Sequence, residues 1–116
     1  MSLTFRTEKI TIVVGNRKFG AKGEYVGRPS PLGNPFEINA KIGNTRDVVI
    51  NKYRQWLKEK IAKRDSVVLS ALETLRKRAI EQRTLILVCW CSPDKCHADV
   101  IGQILIDAIS RGETFA

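Results

Sequence analysis

Leu85-Ile86-Leu87-Val88 is apolar on both alternations of an extended chain. A strand can afford that pattern only when it is central and covered on both faces, so the run predicts an interior strand of a layered domain. A second β-branched run, Ile10-Thr11-Ile12-Val13-Val14, predicts an earlier strand from about Lys9 to Val14, which Gly15-Asn16 ends. Tyr25-Val26 is a further strand of minimal length.

Between the first and last strands the apolar period changes from two to three and four. Thr45 suits a helix N-cap, and Val49, Ile50, Tyr53, Trp56, Leu57 and Ile61 then form one stripe over a helix from Arg46 to about Arg64. Tyr53 and Trp56 read as core anchors rather than as a platform for stacked bases. Asp65 or Ser66 caps a second helix to about Gln82, with Val68, Leu72, Leu75 and Ala79 inward and Leu69 and Ile80 beside them. A third helix, strongly apolar, covers Asp99 to Ser110 and closes near Arg111-Gly112, and Gly102 inside it suits close packing on the sheet. The order predicts an α/β fold: one small layered domain over residues 1–116, with a few-stranded, largely parallel sheet and helices packed on it. With the first and last strands parallel, ligands gather at their carboxyl ends, beside the N-termini of the following helices.

Two segments fall outside this scaffold. Gly27-Arg28-Pro29-Ser30-Pro31-Leu32-Gly33-Asn34-Pro35-Phe36 holds three of the four prolines, which stiffen a non-regular loop before anything binds. It either covers the core with Leu32 and Phe36 or presents Arg28, Ser30 and Asn34 to a ligand. The other segment runs Cys89-Trp90-Cys91-Ser92-Pro93-Asp94-Lys95-Cys96-His97 and carries all three cysteines and the only histidine.

That second segment supports three readings. A thiol at a helix start has its pKa lowered toward the thiolate, which makes Cys96 a nucleophile and its neighbour His97 a general base. The same helix N-terminus, bordered by Cys91 and Asp99, equally receives a phosphate or carboxylate without covalent chemistry, and Arg28 would complete the pocket. Cys89, Cys91, Cys96 and His97 are zinc ligand types in the right number. Their crowding into nine consecutive positions argues against that set, so no cofactor is predicted. The plain alternative is packing: Cys89 as a small core hydrophobe, Trp90 beside it, and His97 as a hydrogen-bonded cap.

Lys and Arg number 20 against 12 Asp and Glu, giving a formal charge of +8 and a pI near 9.8. That excess points to anionic partners, nucleotides or nucleic acid first, although Arg76-Lys77-Arg78 also suits the C-terminal end of a helix. No apolar run reaches the roughly 20 residues that span a bilayer, and the first residues do not read as a signal peptide. An odd number of cysteines without an export signal points to reduced thiols in the cytoplasm.

The Gly-Arg-Pro-Ser and Leu-Gly-Asn-Pro-Phe motifs of the Pro-rich loop, Tyr53 and Trp56 on a helix, Cys89-Trp90-Cys91 and Cys96-His97 together resemble the domain-of-unknown-function family numbered 4326. The resemblance runs from about Val14 to the last helix. Ala98 stands where the family pattern often has Gly, so close backbone approach there is less assured. The family name confers no activity. The resemblance implies that the Pro-rich loop and the Cys-His turn form one constellation and one pocket. The expected ligand is then an anionic small molecule, nucleotide or nucleic-acid end, and the expected enzyme a hydrolase or transferase on a phosphate-bearing or nucleoside substrate. A non-catalytic nucleic-acid-binding module and a zinc-stabilised interaction domain are the alternatives.

Overall fold

The computed structural model of the protein describes residues 4–16, 23–89 and 96–116. Four strands, β1 (Thr4–Arg6), β2 (Thr11–Asn16), β3 (Glu24–Tyr25) and β4 (Thr84–Cys89), form one sheet in the order β1-β2-β4-β3. Three helices, α1 (Arg46–Ala62), α2 (Ser66–Gln82) and α3 (His97–Arg111), complete the fold. The predicted α/β class and the parallel pairing of the two long strands hold: β2 runs parallel to β4 from Thr11↔Thr84 to Asn16↔Cys89. β3 also pairs parallel to β4.

The sheet is largely parallel as expected, and Thr4-Phe5-Arg6 adds one antiparallel edge strand to β2. Three residues are too few to show a period, so the sequence does not announce them. One correction concerns β4: Leu85 and Leu87 are buried but Ile86 between them is 38% exposed, so this part of the strand buries one face, not two. The helices lie where Leu85 and Leu87 need them. α2 packs on β4, α3 on β1, β2 and β4, and α1 against α2 and α3.

The helix limits follow their local chemistry. Thr45 Oγ1 accepts from the Val48 N–H at the start of α1, and the Asp65 carboxylate accepts from the Val68 N–H at the start of α2. α3 closes on Gly112 in the left-handed conformation (φ 68°), which a residue without Cβ adopts at little cost. Tyr53, Leu57, Leu72, Ile101 and Leu105 are among the fully buried side chains, and each such Leu stabilises the fold by roughly 2–3 kcal/mol. Ile80, placed beside the inward positions of α2, is instead 45% exposed. Gly102 meets the edge strand: a Cβ there would lie 2.5 Å from the Phe5 ring. Two of the three basic residues late in α2 have acidic partners, Arg76 with Glu73 and Arg78 with Glu24 of β3. Among the described residues no helix is long and apolar enough to cross a membrane.

Candidate functional site

Val26 follows β3 and extends it by one bond, donating its N–H to the Val88 carbonyl at 3.0 Å. The chain then enters the Pro-rich loop, whose shape is set by two turns: Ser30 N–H to Gly27 O at 2.8 Å and Gly33 N–H to Ser30 O at 2.9 Å. Leu32 is buried at the turn, and its carbonyl accepts from the Tyr53 phenol of α1 at 2.7 Å. The Arg28–Pro29 peptide is cis. The loop is therefore tied to the sheet at one end and to a helix in its middle.

α3 begins directly opposite the start of this loop. Cys96 is its N-cap, and the two ends of the first turn reciprocate: the Asp99 N–H donates to the Cys96 carbonyl at 3.0 Å, and the Cys96 N–H donates to the Asp99 carboxylate at 3.1 Å. His97 is buried, with its Nε2 2.6 Å from the Val26 carbonyl and its Nδ1 3.4 Å from Cys96 Sγ. A carbonyl only accepts, so the imidazole carries its hydrogen on Nε2. Burial pushes the His97 pKa down, the Val26 carbonyl opposes this, and the Arg28 guanidinium adds a smaller push down. The ring is then neutral, Nδ1 presents a lone pair, and the Cys96 thiol donates to it. Tyr53 packs edge-on against the imidazole at 5.1 Å between centroids. Its phenol is held well above the ordinary tyrosine range, by burial first and second by the charge that Cys96 carries once ionised, so it stays a donor to Leu32.

A cavity of about 510 Å³ opens between the Pro-rich loop, the start of α1 and the start of α3. Cys96, His97, Arg28 and Asn34 all line it, so four of the predicted site residues come together. Asn34 is buried and its Oδ1 accepts from the Phe36 N–H at 2.9 Å, which spends that oxygen on the loop. Arg28 is exposed and donates to the Glu37 carboxylate at 3.2 Å, across the mouth of the cavity. Ser30 does not line the cavity, and its buried Oγ has no hydrogen-bond partner among the described residues. Asp99 faces a separate hollow of about 340 Å³ that Phe5 also walls, and its burial raises its pKa against the lowering effect of the Cys96 N–H. Cys91, Trp90 and the turn to Lys95 lie outside the described residues.

Four cavity residues have no mark in the sequence as part of a site: Tyr25 looks like strand, Arg46 looks like a solvated first helical turn, and Glu37 and Ile38 follow the loop motif directly. The nearest to a signal is Arg46, a cation one residue past a helix N-cap. Phe36, which one of the two readings of the loop sets over the core, is half-buried and walls the cavity. Cys89 is buried as the packing alternative has it. Among the described residues no three His, Cys, Asp or Glu side chains are grouped so as to hold a metal ion.

The arrangement offers a thiol with a lone pair to receive its proton, a guanidinium pair (Arg28 and Arg46) and aromatic walls, within one space. Neither the curated proteins nor the solved structures compared with the chain gave a match. A comparison with known protein families matches residues 14–107, which hold the end of β2, β3, the Pro-rich loop, α1, α2, β4 and most of α3, to the family described as "Domain of unknown function (DUF4326)". Loop and Cys-His helix start fall together inside the matched span, and the chain belongs to that family.

Proposed function

We propose that the cavity binds a small anion of the nucleotide or nucleoside-phosphate class, and that Cys96 and His97 process it in a hydrolase or transferase reaction. One observation carries the reading: Arg28, Arg46, Cys96 and His97 share a single cavity of about 510 Å³. Pockets for small molecules fall in the range of roughly 300–1,000 Å³. Arg28 and Arg46 hold the phosphate, Tyr25 and Phe36 receive the base or sugar, and Asn34 orients it. The Cys96 proton passes to His97 Nδ1 as Sγ attacks the electrophilic centre, and the imidazolium returns that proton to the departing group. Water or an acceptor then releases the product from sulfur. The Val26 carbonyl keeps its bond to Nε2–H throughout and stabilises the imidazolium. Asp99 holds the Cys96 N–H and so acts on the position of the thiol. The thiol–imidazole contact needs a reduced cysteine, which fits a cytoplasmic setting.

Alkylation with iodoacetamide at neutral pH tests this. Cys96 is expected to label faster than the same residue in a His97→Asn variant, and saturating nucleoside monophosphate is expected to protect it. Equal labelling of the two proteins removes the nucleophile, and labelling indifferent to both mononucleotide and inorganic phosphate removes the pocket. The formal charge of +8 supports a second reading, a nucleic-acid-binding module that breaks no bond. Under it, affinity falls steeply with salt and Cys96→Ser binds as the native protein does.

A further inference from the structure

The cavity does not end at Phe36. The same ring also walls a shallow groove of about 580 Å³ along the outer face of α1. Trp56, Asn51, Lys52, Gln55 and Glu59 line that groove with it. Trp56 is half-buried, tilted on Tyr53 at 5.5 Å, so one part of the indole packs on the core while another part meets the groove. In the sequence Tyr53 and Trp56 share one apolar stripe and both look like core anchors. The structure separates them: Tyr53 is fully buried and Trp56 is not.

Cations accompany both rings. The Lys52 ammonium lies 6.0 Å from the Phe36 centroid and donates to Asn44 Oδ1 at 2.8 Å. The Lys60 ammonium lies 5.8 Å from the Trp56 centroid. Lys52 lines the groove, whereas Lys60 stands beside it and also pairs with Asp65 at 3.6 Å; Glu59 is the one acid along the groove, in a chain of formal charge +8. Aromatic faces spaced along a surface with a cation beside them suit single-stranded nucleic acid, because every base offers a face to stack and every link a negative charge. Phe36 stands at the junction of the two hollows, and Lys52 stands beside it.

We infer that the ligand is the end of a single-stranded oligonucleotide: its terminal nucleotide enters the Cys96–His97 cavity and the next bases stack along Phe36 and Trp56. This rests on the proposed function and narrows its substrate class from free nucleotide to strand end. Lys52 then meets the phosphodiester between the first two bases, while Asn51 and Gln55 offer amide groups to base edges without selecting a sequence.

Affinities of thymidine 5′-monophosphate and a 5′-phosphorylated four-nucleotide thymidylate, measured by calorimetry at low salt, test the inference. The oligonucleotide is expected to bind at least about tenfold more tightly, a ratio that one stacked base can supply. Trp56→Leu keeps an apolar side chain on the core and removes the stacking face, and it is expected to erase most of that ratio while leaving the mononucleotide affinity unchanged. Equal affinities in the native protein overturn the inference and leave the mononucleotide cavity standing. A ratio that survives in folded Trp56→Leu also overturns it, and failure to bind either probe overturns both readings. Should Trp56→Leu not fold, the comparison of the two ligands in the native protein decides alone.

Discussion

The Nε2–H of His97 donates to the backbone carbonyl of Val26 at 2.6 Å, joining residues 71 positions apart. Val26 in turn donates its own N–H to Val88 of β4. One residue thus ends the parallel sheet through its N–H and fixes an imidazole through its carbonyl. The bond selects the tautomer, and the tautomer turns Nδ1 toward the Cys96 thiol.

Stability is expected to fall on mild acidification because of this residue. Burial lowers the pKa of His97 in the folded chain, whereas the unfolded chain titrates near pH 6.5. The unfolded state therefore binds a proton first, and the native state loses stability as the pH drops below about 6.5. The slope of unfolding free energy between pH 7 and pH 5.5 cannot exceed about 1.4 kcal/mol per pH unit for a single group. The chain has one histidine, so His97→Gln is expected to flatten urea midpoints measured across that window. A slope that persists in the variant assigns the effect elsewhere.

A second acid-sensitive contact lies far from the cavity. Glu73 is buried, takes two bonds of 2.7 Å from the Arg76 guanidinium, and accepts from the Phe115 N–H at 3.0 Å. The arginine bonds first, and the Phe115 N–H after them, hold its pKa at about 2, with burial opposing. Its contribution is complete above the ordinary carboxylate range near 4.5 and is lost as the pH falls toward 2. Glu73→Gln is expected to lower unfolding free energy by roughly 1–3 kcal/mol and to speed hydrogen exchange at the Phe115 amide. Unchanged exchange there separates the tail from Glu73.

Tyr53→Phe removes only the hydroxyl and leaves the ring against His97. The buried Leu32 carbonyl then loses its partner, at a cost of roughly 1–3 kcal/mol. The Ser30 and Gly33 amides, which close the loop turns, are expected to exchange faster, while the Val26 amide on β4 does not. Uniform acceleration at all three sites means that the phenol supports the whole fold rather than the loop.

Gly102→Ala sets a methyl group 2.5 Å from the Phe5 ring, closer than carbon atoms approach. The expected loss is roughly 1–3 kcal/mol of overpacking, with β1 detaching from β2 first. Phe5→Leu in the same chain is expected to restore part of the loss. A double variant as unstable as the sum of the two singles rules out direct contact as the cause.

What could be read in the sequence follows from how each residue is held. β2 and the three helices carry apolar periods and β4 an unbroken apolar run, and their limits in the structure fall within a few residues of those expected. Thr45, Asp65 and Gly112 mark ends because caps act locally. β1 has no period to show, and only its pairing with β2 creates it. The site divides in the same way. The prolines and the Cys-His pair point to two segments, but which residues meet depends on where the chain returns. Asp99 turns to its own helix start, Ser30 turns away from the cavity, and Arg46 and Tyr25 enter it from elements with ordinary sequences. Trp56 shares its stripe with Tyr53, and only the depth of each ring in the core tells them apart.

The register of β2 on β4, from Thr11↔Thr84 onward, has a kinetic consequence. Parallel pairing across most of a chain forms late, because a long loop must close before the ladder stabilises it. Until it forms, Val88 is not in place, Val26 has no strand to extend, and the His97 tautomer is unassigned. A newly made or partly unfolded chain would then carry Cys96 as an ordinary thiol. Reactivity would arrive with the last step of folding, and alkylation during refolding would time it.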